Sequence, residues 1–346
     1  MSQVYVHGIG AVSPAGWGLQ ALRENLASQK RLPIRTLTPA GREQTIGVRR
    51  VPAPGSRPIF LGHTRLRRSS PISHFAAAAA VEALGTDAVL VSNGSLRLGI
   101  VSCVMSGCVQ YSRRFYEETL RDPRTASPLV FPETVFNAPS SHLAAFFGTN
   151  ALNYTLVGDP SVFGQGLAMA AAWLLHEDLD GCLVVGAEEL DWVTADAFRL
   201  FSKQLILSEG AGAIYLRRIV SGNQSIELRA VTDPFPFVDQ PSRARAATEV
   251  RASLQVPKAQ DLLCDGLQNV PRFDRAEAHA WQKWPGARLS PKLILGEGLT
   301  AAAAWQCVCA VDAIRQGNHP TAYVSLVGCN QQAVGVQFTR MTVAGP

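Results

Sequence analysis

The amino-acid sequence predicts an α/β fold in which helices cover buried sheets. Short apolar runs rich in β-branched residues alternate with Ala- and Leu-rich runs along the 346 residues. Residues 181–185 are continuously apolar, which is typical of a strand buried on both faces. Residues 299–316 form a long Ala-rich pattern that favours a helix. This alternation indicates stacked layers of helix and sheet.

The individual elements follow from local composition in chain order. The predicted strands are residues 4–9, 98–104, 181–185, 210–216, 323–326 and 334–338. The predicted helices are residues 19–26, 74–84, 165–176 and 299–316. Two segments break the pattern: residues 31–58, which hold five of the 21 prolines, and residues 232–260, which are Pro-rich and then charged. A divide between two halves of one body is expected near residues 215–225.

The amino-acid composition limits the classes of function that are expected for this chain. Charged residues make up only 17% of the chain, which suits a large α/β core and also a protomer with a large buried interface. The net charge of +5 is mild, and no basic run interleaves with aromatic residues, so nucleic-acid binding is not expected. Two basic clusters are expected to be solvated surface, with contact to an acidic carrier protein or to phosphopantetheine as the alternative: Arg42, Arg49 and Arg50, and Arg65, Arg67 and Arg68.

Cysteine usage and the apolar runs indicate a cytoplasmic protein. The seven cysteines form no Cys-x-x-Cys pair, so neither a disulfide framework nor a metal site is indicated. A reducing compartment suits such free thiols. No secretory leader is expected at the N-terminus. No apolar run approaches the length of about 18 residues that a membrane span needs.

Three stretches carry a more specific signal. Residues 131–142 read Phe-Pro-Glu-Thr-Val-Phe-Asn-Ala-Pro-Ser-Ser-His, residues 183–190 read Leu-Val-Val-Gly-Ala-Glu-Glu-Leu, and residues 290–304 contain Ser-Pro-Lys-Leu-Ile-Leu-Gly-Glu-Gly. In this order they resemble the β-ketoacyl synthases of fatty-acid and polyketide assembly. The resemblance implies a thiolase-like fold, with two similar α/β halves in a layered α-β-α-β-α arrangement. These halves are residues 1–218 and a shortened half of residues 219–346.

The residues that would carry the family's chemistry are replaced. Such enzymes use a cysteine thiolate at a helix N-terminus, two histidines and a nearby lysine. The cysteine position falls on Pro160, and the histidine positions fall on Asp265 and Glu297. The lysine is retained as Lys292, which is expected to form a salt bridge of modest worth with Glu297. Asp159 is expected to cap a helix that Pro160 begins. No catalytic residue is therefore assigned.

The resemblance also implies a dimer interface and an acyl tunnel. The segment 131–142 would press into a partner's tunnel, and the strand 153–157 would extend the partner's sheet. The bulky Phe131, Phe136 and Phe163 would limit acyl length. The full set of implied interface and tunnel residues is Phe131, Thr134, Phe136, Asn137, Pro139, His142, Asn153, Thr155 and Phe163.

Other polar residues are expected to have structural roles. Glu188 and Glu189 resemble an acid/base pair, but neighbouring carboxylates are expected at the surface or at a cap. His142 is expected to be a satisfied, partly buried histidine. Glu277 is similar to a downstream glutamate of the family, and residues 325–330 look like a shortened version of its gating loop.

Family members that lack the cysteine are chain-length-factor-like subunits. This chain most resembles those of bacterial aryl polyene clusters, among type II polyketide systems. The implied function is a non-catalytic partner, without cofactor, that forms a heterodimer with an intact ketosynthase and shapes the tunnel during elongation on an acyl carrier protein. Two alternatives stay open. One is an acyltransferase or hydrolase with a relocated nucleophile such as Ser161 or Cys108. The other is a homodimeric acyl-binding protein.

Overall fold

The computed structural model describes residues 3–38, 45–176, 178–220 and 225–341. Its strands are β1 Tyr5–Ser13, β2 Gly16–Trp17, β3 Arg35–Leu37, β4 Ile46–Arg49, β5 Leu98–Val104, β6 Asn153–Val157, β7 Gly181–Glu188, β8 Leu207–Ser208, β9 Gly210–Arg217, β10 Ile226–Val231, β11 Phe235–Pro236, β12 Leu262–Cys264, β13 Ala287–Leu289, β14 Thr321–Val327 and β15 Gln332–Arg340.

The helices alternate with these strands along the chain. They are α1 Leu19–Ser28, α2 Pro71–Leu84, α3 Asp87–Ser92, α4 Val109–Arg121, α5 Ala138–Phe147, α6 Val162–His176, α7 Trp192–Arg199, α8 Gln240–Ser253, α9 Pro271–Ala280, α10 Pro291–Leu295 and α11 Thr300–Arg315. Short 3-10 turns lie at Ile59–Gly62, Pro123–Thr125 and Phe131–Glu133. None of the helices in the described ranges has the length and apolarity that a bilayer crossing needs.

One large sheet contains the same strand order twice. From β1 outward the order is β1, β9, β7, β5 and β6, and from β10 outward it is β10, β15, β14, β12 and β13. In both runs the two inner pairings are antiparallel and the two outer pairings are parallel. The runs meet where β1 pairs antiparallel with β10, at Tyr5 opposite Glu227 and Val6 opposite Ile226.

This repeated topology is the duplicated α/β arrangement that the resemblance implies. The expected boundary between residues 218 and 219 falls in the connection between β9 and β10, and its position stays a prediction. Strands β3, β4 and β8 form a separate small sheet beside the large one.

The layers follow from which helices pack on which strands. Helix α11 lies in the middle, against β7 and β9 on one side and β12 and β14 on the other, with α6 beside it. Trp305 of α11 fixes this position, because its indole N–H donates to the carbonyl oxygens of Val12 (3.0 Å) and Ala211 (2.9 Å). Helix α2 covers the outer face of the first half, and α8 covers that of the second. The α-β-α-β-α layering is therefore confirmed.

Small residues let α2 approach the sheet closely. A Cβ atom on Gly8 would lie 1.6 Å from the carbonyl oxygen of Ala83, and one on Gly10 would lie 2.1 Å from that of Ala79. Any larger residue in β1 would therefore push the helix away. The glycines near the start of the chain and the Ala-rich run of α2 are two parts of one contact.

Every predicted strand and helix is present, but one predicted break is wrong. Residues 232–260 contain the helix α8, and its first turn tolerates Pro241 because the missing N–H has no helical partner there. The helix begins with a capping box. The N–H of Ser242 donates to the Asp239 carboxylate (2.8 Å), and the N–H of Asp239 donates to the Ser242 hydroxyl (3.0 Å).

Within residues 31–58, the strands β3 and β4 interrupt the predicted loop. Arg42, in the same segment, lies outside the described residues.

Candidate functional site

The four residues at the family's catalytic positions lie near the ends of several elements, and we call these four positions the degenerate catalytic frame. Pro160 precedes α6, Asp265 follows β12, and Lys292 and Glu297 lie on either side of the end of α10. The loop between β14 and β15 lies beside these residues, because the charges of Lys292 and Glu297 are close enough to shift the pKa of Cys329. We call these five residues the central cluster.

The Asp159 side chain is hydrogen-bonded to the backbone amides of the loop between β14 and β15. Its carboxylate is fully buried. It accepts hydrogen bonds from four successive backbone N–H groups, those of Cys329 (2.7 Å), Asn330 (3.3 Å), Gln331 (3.2 Å) and Gln332 (3.2 Å). Burial raises the pKa of the Asp159 carboxyl above its ordinary value, and the four N–H donors oppose that rise.

This contact corrects the expected helix start. Asp159 was expected to cap the helix with Pro160 in its first position, but α6 begins at Val162 and the carboxylate points to the loop instead. Pro160 is buried beside it. The loop approaches so closely that a Cβ on Gly328 would lie 1.5 Å from an Asp159 oxygen. Only glycine fits at this position.

Lys292 and Glu297 form a buried ion pair. The Lys292 ammonium lies 2.8 Å from a Glu297 oxygen, and both side chains are almost wholly buried. Gln268 donates to the same carboxylate at 3.3 Å, and the backbone N–H of Leu299 donates at 2.8 Å. Burial is the largest single effect and lowers the pKa of Lys292, but Glu297 and the other nearby acidic groups together outweigh it and leave the pKa raised. The predicted pair is confirmed. Its modest worth stays a prediction, and it rests on a value for exposed pairs, whereas this pair is buried.

Asp265 and Glu277 are buried acids close to each other. Asp265 accepts from the Ser290 hydroxyl at 2.5 Å, and Glu277 accepts from the backbone N–H of Gly266 at 3.0 Å. Burial raises the pKa of Asp265. Burial, with a further contribution from Asp265, raises the pKa of Glu277 to about 7. The site can therefore hold a proton near neutral pH.

Arg243 supplies positive charge at the outer side of the central cluster. It is buried, donates to the carbonyl oxygens of Cys329 (3.1 Å) and Phe273 (3.3 Å), and lies over the Phe237 ring with its guanidinium carbon 4.9 Å from the ring centroid. Burial lowers the pKa of its guanidinium. The thiol of Cys329 has its pKa raised, chiefly by burial and then by Glu297, so it stays protonated at neutral pH.

The two candidate relocated nucleophiles are both buried. Ser161 is fully buried, and its hydroxyl donates to the carbonyl oxygen of Gln332 at 3.2 Å. Cys108 is buried, and burial together with Glu189 raises the pKa of its thiol. Within the described ranges, no histidine is hydrogen-bonded to either of them.

Glu188 and Glu189 are both buried, so the expected surface position is wrong for both. The expected cap is confirmed for Glu189, which accepts hydrogen bonds from N–H groups in the first turns of α2 and α4. The Glu188 carboxylate accepts from the Thr300 hydroxyl at 2.7 Å and from the backbone N–H groups of Met105 and Ser106. Glu189 accepts from the backbone N–H of Gln110 at 2.8 Å. Burial raises the pKa of each carboxyl to about 7. Glu188 therefore fastens the loop after β5 to the end of β7 and the start of α11, whereas Glu189 holds the first turns of α2 and α4 together.

The segment 131–142 lies partly on the surface and partly in the core. The aromatic side chains of Phe131 and Phe136 are exposed, as is Asn137, whereas Pro139 is buried at the start of α5. Phe136 lies against Gly107, just after β5. This arrangement puts two phenylalanines in reach of another molecule.

Polar contacts hold that segment to its neighbours. His142 is buried, and its Nε2 lies 2.8 Å from a Glu133 oxygen, as expected for a satisfied histidine. The hydroxyl of Thr134 donates to the carbonyl oxygen of Phe131 at 2.8 Å. The side-chain amide of Asn153 donates to the carbonyl oxygen of Ser140 at 3.1 Å, which ties β6 to α5.

Thr155 and Phe163 lie apart from the exposed part of the segment. Thr155 is half-buried on β6, and no hydrogen-bond partner for its hydroxyl lies among the described residues. Phe163 is fully enclosed in the middle helical layer, against Gly186 of β7. Its role as a tunnel wall stays a prediction, and its ring lines no surface of this chain.

No protein-family model matches the chain, and no curated protein matches it. Solved structures match along nearly its whole length. A chain of the ishigamide ketosynthase/chain length factor is 18% identical with a TM-score of 0.75, over 97% of this chain and 99% of that one. A chain from the complex of the ketosynthase ApeO with its chain length factor ApeC from Xenorhabdus doucetiae is 12% identical with a TM-score of 0.78, over 98% of each chain.

A β-ketoacyl synthase from Burkholderia phymatum is 14% identical with a TM-score of 0.77, over 99% of this chain and 100% of that one. The chain therefore has the thiolase-like fold of ketosynthases and chain length factors, and the resemblance carried by its motifs is confirmed at the level of the fold. At these identities the likeness establishes the fold.

Sequence reasoning missed three members of the site. The role of Asp159 in holding the loop, the buried Arg243 and the position of Cys329 all depend on long-range contacts. The Gly328-Cys329 pair after an apolar strand was the one available signal for a tight approach. Arg243 had no signal, because it lies in the segment 232–260 that was interpreted as a break.

Proposed function

We propose that this chain is a non-catalytic, chain-length-factor-like partner of an active ketosynthase. It completes a heterodimer and shapes the tunnel that holds a growing acyl chain on an acyl carrier protein. The system proposed is a bacterial aryl polyene or other type II polyketide assembly in the cytoplasm. The observation that carries the proposal is the open edge of β6.

Strand β6 ends the large sheet, and within the described ranges no strand pairs with its outer edge. Tyr154 and Val157 on this strand are 55% and 51% exposed. An exposed apolar edge strand is a template for pairing with another chain unless a partner covers it. The opposite end of the sheet, β13, has only three residues and carries no exposed large apolar side chain. The two edges therefore differ in a way that favours β6 as the interface.

The surface next to β6 continues the apolar character. Phe136 adjoins the end of β5, which pairs with β6, and Phe131 contacts Phe115 of α4 with ring centroids 5.4 Å apart. Exposed apolar patches larger than isolated side chains mark interaction sites. The segment 131–137 is thus suited to contact the same partner and to reach its tunnel.

The central cluster supports the non-catalytic part of the proposal. A ketosynthase needs a thiolate and donors free to bind an oxyanion. Here Pro160 lies just before α6, the Asp159 carboxylate accepts the N–H groups of the loop between β14 and β15, and Glu297 neutralises Lys292. The loop amides and the Lys292 ammonium are therefore already paired within the chain and are not free to bind an oxyanion.

The names of the similar structures agree with a paired role. One similar chain comes from a ketosynthase in complex with its chain length factor. Another, 15% identical with a TM-score of 0.75, comes from a type II acyl-carrier protein in complex with its ketosynthase. Both describe assemblies in which a chain of this fold works with another protein.

Co-expression with the nearest intact ketosynthase tests the proposal. Native mass spectrometry is expected to detect a one-to-one complex. Tyr154→Lys is expected to weaken it at least tenfold, because the charge would be buried at the interface. Val256→Lys is the matched control, since Val256 is exposed in the other half of the chain. A chain that forms only homodimers in the presence of the ketosynthase would overturn the proposal.

A further inference from the structure

A cleft beside the central cluster carries a charge that the proposed function does not use. It has a volume of about 420 Å³ and lies between the connection from α1 to β3, the end of β4 and the start of α10. Its walls carry three cations, Arg31, Arg49 and Lys292. None of the described residues that line it is acidic.

Arg49 is the buried member of this set, so its expected position on the solvated surface is wrong. Its side chain is only 6% exposed, and its Nε donates to the carbonyl oxygen of Leu32 at 3.1 Å. In the described part of the chain no carboxylate pairs with its guanidinium. One of its terminal nitrogens lies 3.4 Å from where a Cβ on Gly296 would be, so the guanidinium extends along the cleft wall. Burial lowers its pKa, and the nearby charge of Arg31 adds to the effect.

Lys292 adds no net charge to the cleft, because its ammonium is paired with the Glu297 carboxylate at 2.8 Å. The excess charge of the cleft therefore comes from the two guanidinium groups. A buried cation without a counter-charge is costly, and proteins retain such a group mainly where a partner completes it. No described protein group completes Arg49.

We infer that this cleft binds a small molecule through an oxyanion group, a phosphate or a carboxylate, held between Arg49 and Arg31. The guanidinium fork matches both groups, because each presents two oxygens to parallel N–H donors. Three amide side chains, those of Gln204, Gln268 and Asn269, line the same cleft and can donate further hydrogen bonds. The volume is within the range of small-molecule sites.

The site is separate from the open edge of β6 and does not depend on a ketosynthase. Gln268 joins it to the central cluster, since its amide donates to Glu297 at 3.3 Å. A bound anion would therefore lie one side chain away from the Lys292–Glu297 pair. This placement makes the cleft a second ligand site next to the degenerate catalytic frame.

Isothermal titration calorimetry of the full chain tests the inference, with inorganic phosphate and malonate as separate probes. Chloride is adjusted to keep the ionic strength constant, because general screening weakens all surface charge effects. We expect saturable one-to-one binding of at least one probe. Stronger binding of phosphate would assign the phosphate class, and stronger binding of malonate the carboxylate class.

Three variants make the result specific. Arg49→Gln is expected to weaken binding at least tenfold. Arg31→Gln, at an exposed residue, is expected to weaken it severalfold and guards against loss of folding in the first variant. Arg65→Gln removes an exposed arginine outside the cleft and is expected to leave binding unchanged. Absence of saturable binding for both probes, or equal binding by all variants, would overturn the inference.

Discussion

The carboxylate of Asp159 accepts a hydrogen bond from the backbone N–H of Cys329 at 2.7 Å, across 170 residues of sequence. The next three N–H groups of the loop point to the same carboxylate. An internal anion therefore holds the loop between β14 and β15 against the start of α6. The loop has its anionic partner within the chain itself.

Removal of this anion is expected to loosen the loop. Asp159→Ala leaves four N–H groups of the loop without their charged acceptor, at a cost of about 2 kcal/mol, which corresponds to a roughly thirtyfold larger equilibrium constant for local opening. Hydrogen exchange at residues 329–332 measures it. Ser161→Ala is the control, because it removes only one bond to the carbonyl oxygen of Gln332. Equal exchange in Asp159→Ala and the unchanged chain would contradict the role.

The Lys292–Glu297 pair is expected to be strongly coupled. Lys292→Met leaves a buried carboxylate without its cation, which is expected to lower the free energy of unfolding by about 3 to 5 kcal/mol. The double variant Lys292→Met with Glu297→Gln is expected to recover much of that loss, because no charge is then stranded. Urea unfolding of both single variants and the double variant gives the coupling energy. Additive losses would argue against a direct pair.

The buried Glu277 is expected to make stability depend on pH. Its pKa is about 7 in the folded chain, against an ordinary value of 4.5, so the folded state holds the proton more tightly than the unfolded state. The resulting stability is fully present below pH 4.5 and is lost as the pH rises through 7. The loss is about 3 kcal/mol.

Glu277→Gln removes this dependence, because an amide does not titrate. The free energy of unfolding of the unchanged chain, relative to this variant, is expected to fall between pH 4.5 and pH 8. Glu24→Gln, at an exposed position of α1, is the control and is expected to keep the full dependence. Parallel pH profiles of the unchanged chain and Glu277→Gln would show that the carboxyl ionises normally.

Phe136 is expected to set product length in the complex. Phe136→Ala shortens an exposed side chain in the segment proposed to reach the partner's tunnel, so longer acyl products are expected. Mass spectrometry of the carrier-bound products measures the shift. Ile59→Ala, at another exposed apolar residue, is the matched control. Unchanged products for both Phe136→Ala and Phe131→Ala would exclude the tunnel-wall role.

Much of the fold was predictable because its signals are local. Continuous apolar runs such as the one in β7 are legible along the sequence, and so is the Ala-rich α11. The helix α8 was missed because its buried side is made of alanine, valine and Arg243 rather than of large apolar residues. Its cap, Asp239, belongs to a Pro-rich run that is typical of loops.

The site was predictable in position and less so in chemistry. The motifs correctly paired Lys292 with Glu297, because both lie in one short stretch. They gave the wrong partner for Asp159, because the loop amides it binds come from a distant part of the chain. They also predicted Glu188 at the surface or at a cap, because burial depends on the packed layers and does not show in two adjacent carboxylates.

The most direct test of the central claim is to locate acyl groups on the purified heterodimer by intact-mass spectrometry during elongation. A non-catalytic partner predicts that every covalent acyl group lies on the ketosynthase or the carrier protein. It also predicts that changing the nucleophilic cysteine of the ketosynthase to alanine abolishes all loading. A stoichiometric acyl adduct on this chain, retained when the cysteine of the ketosynthase is removed, would contradict the account.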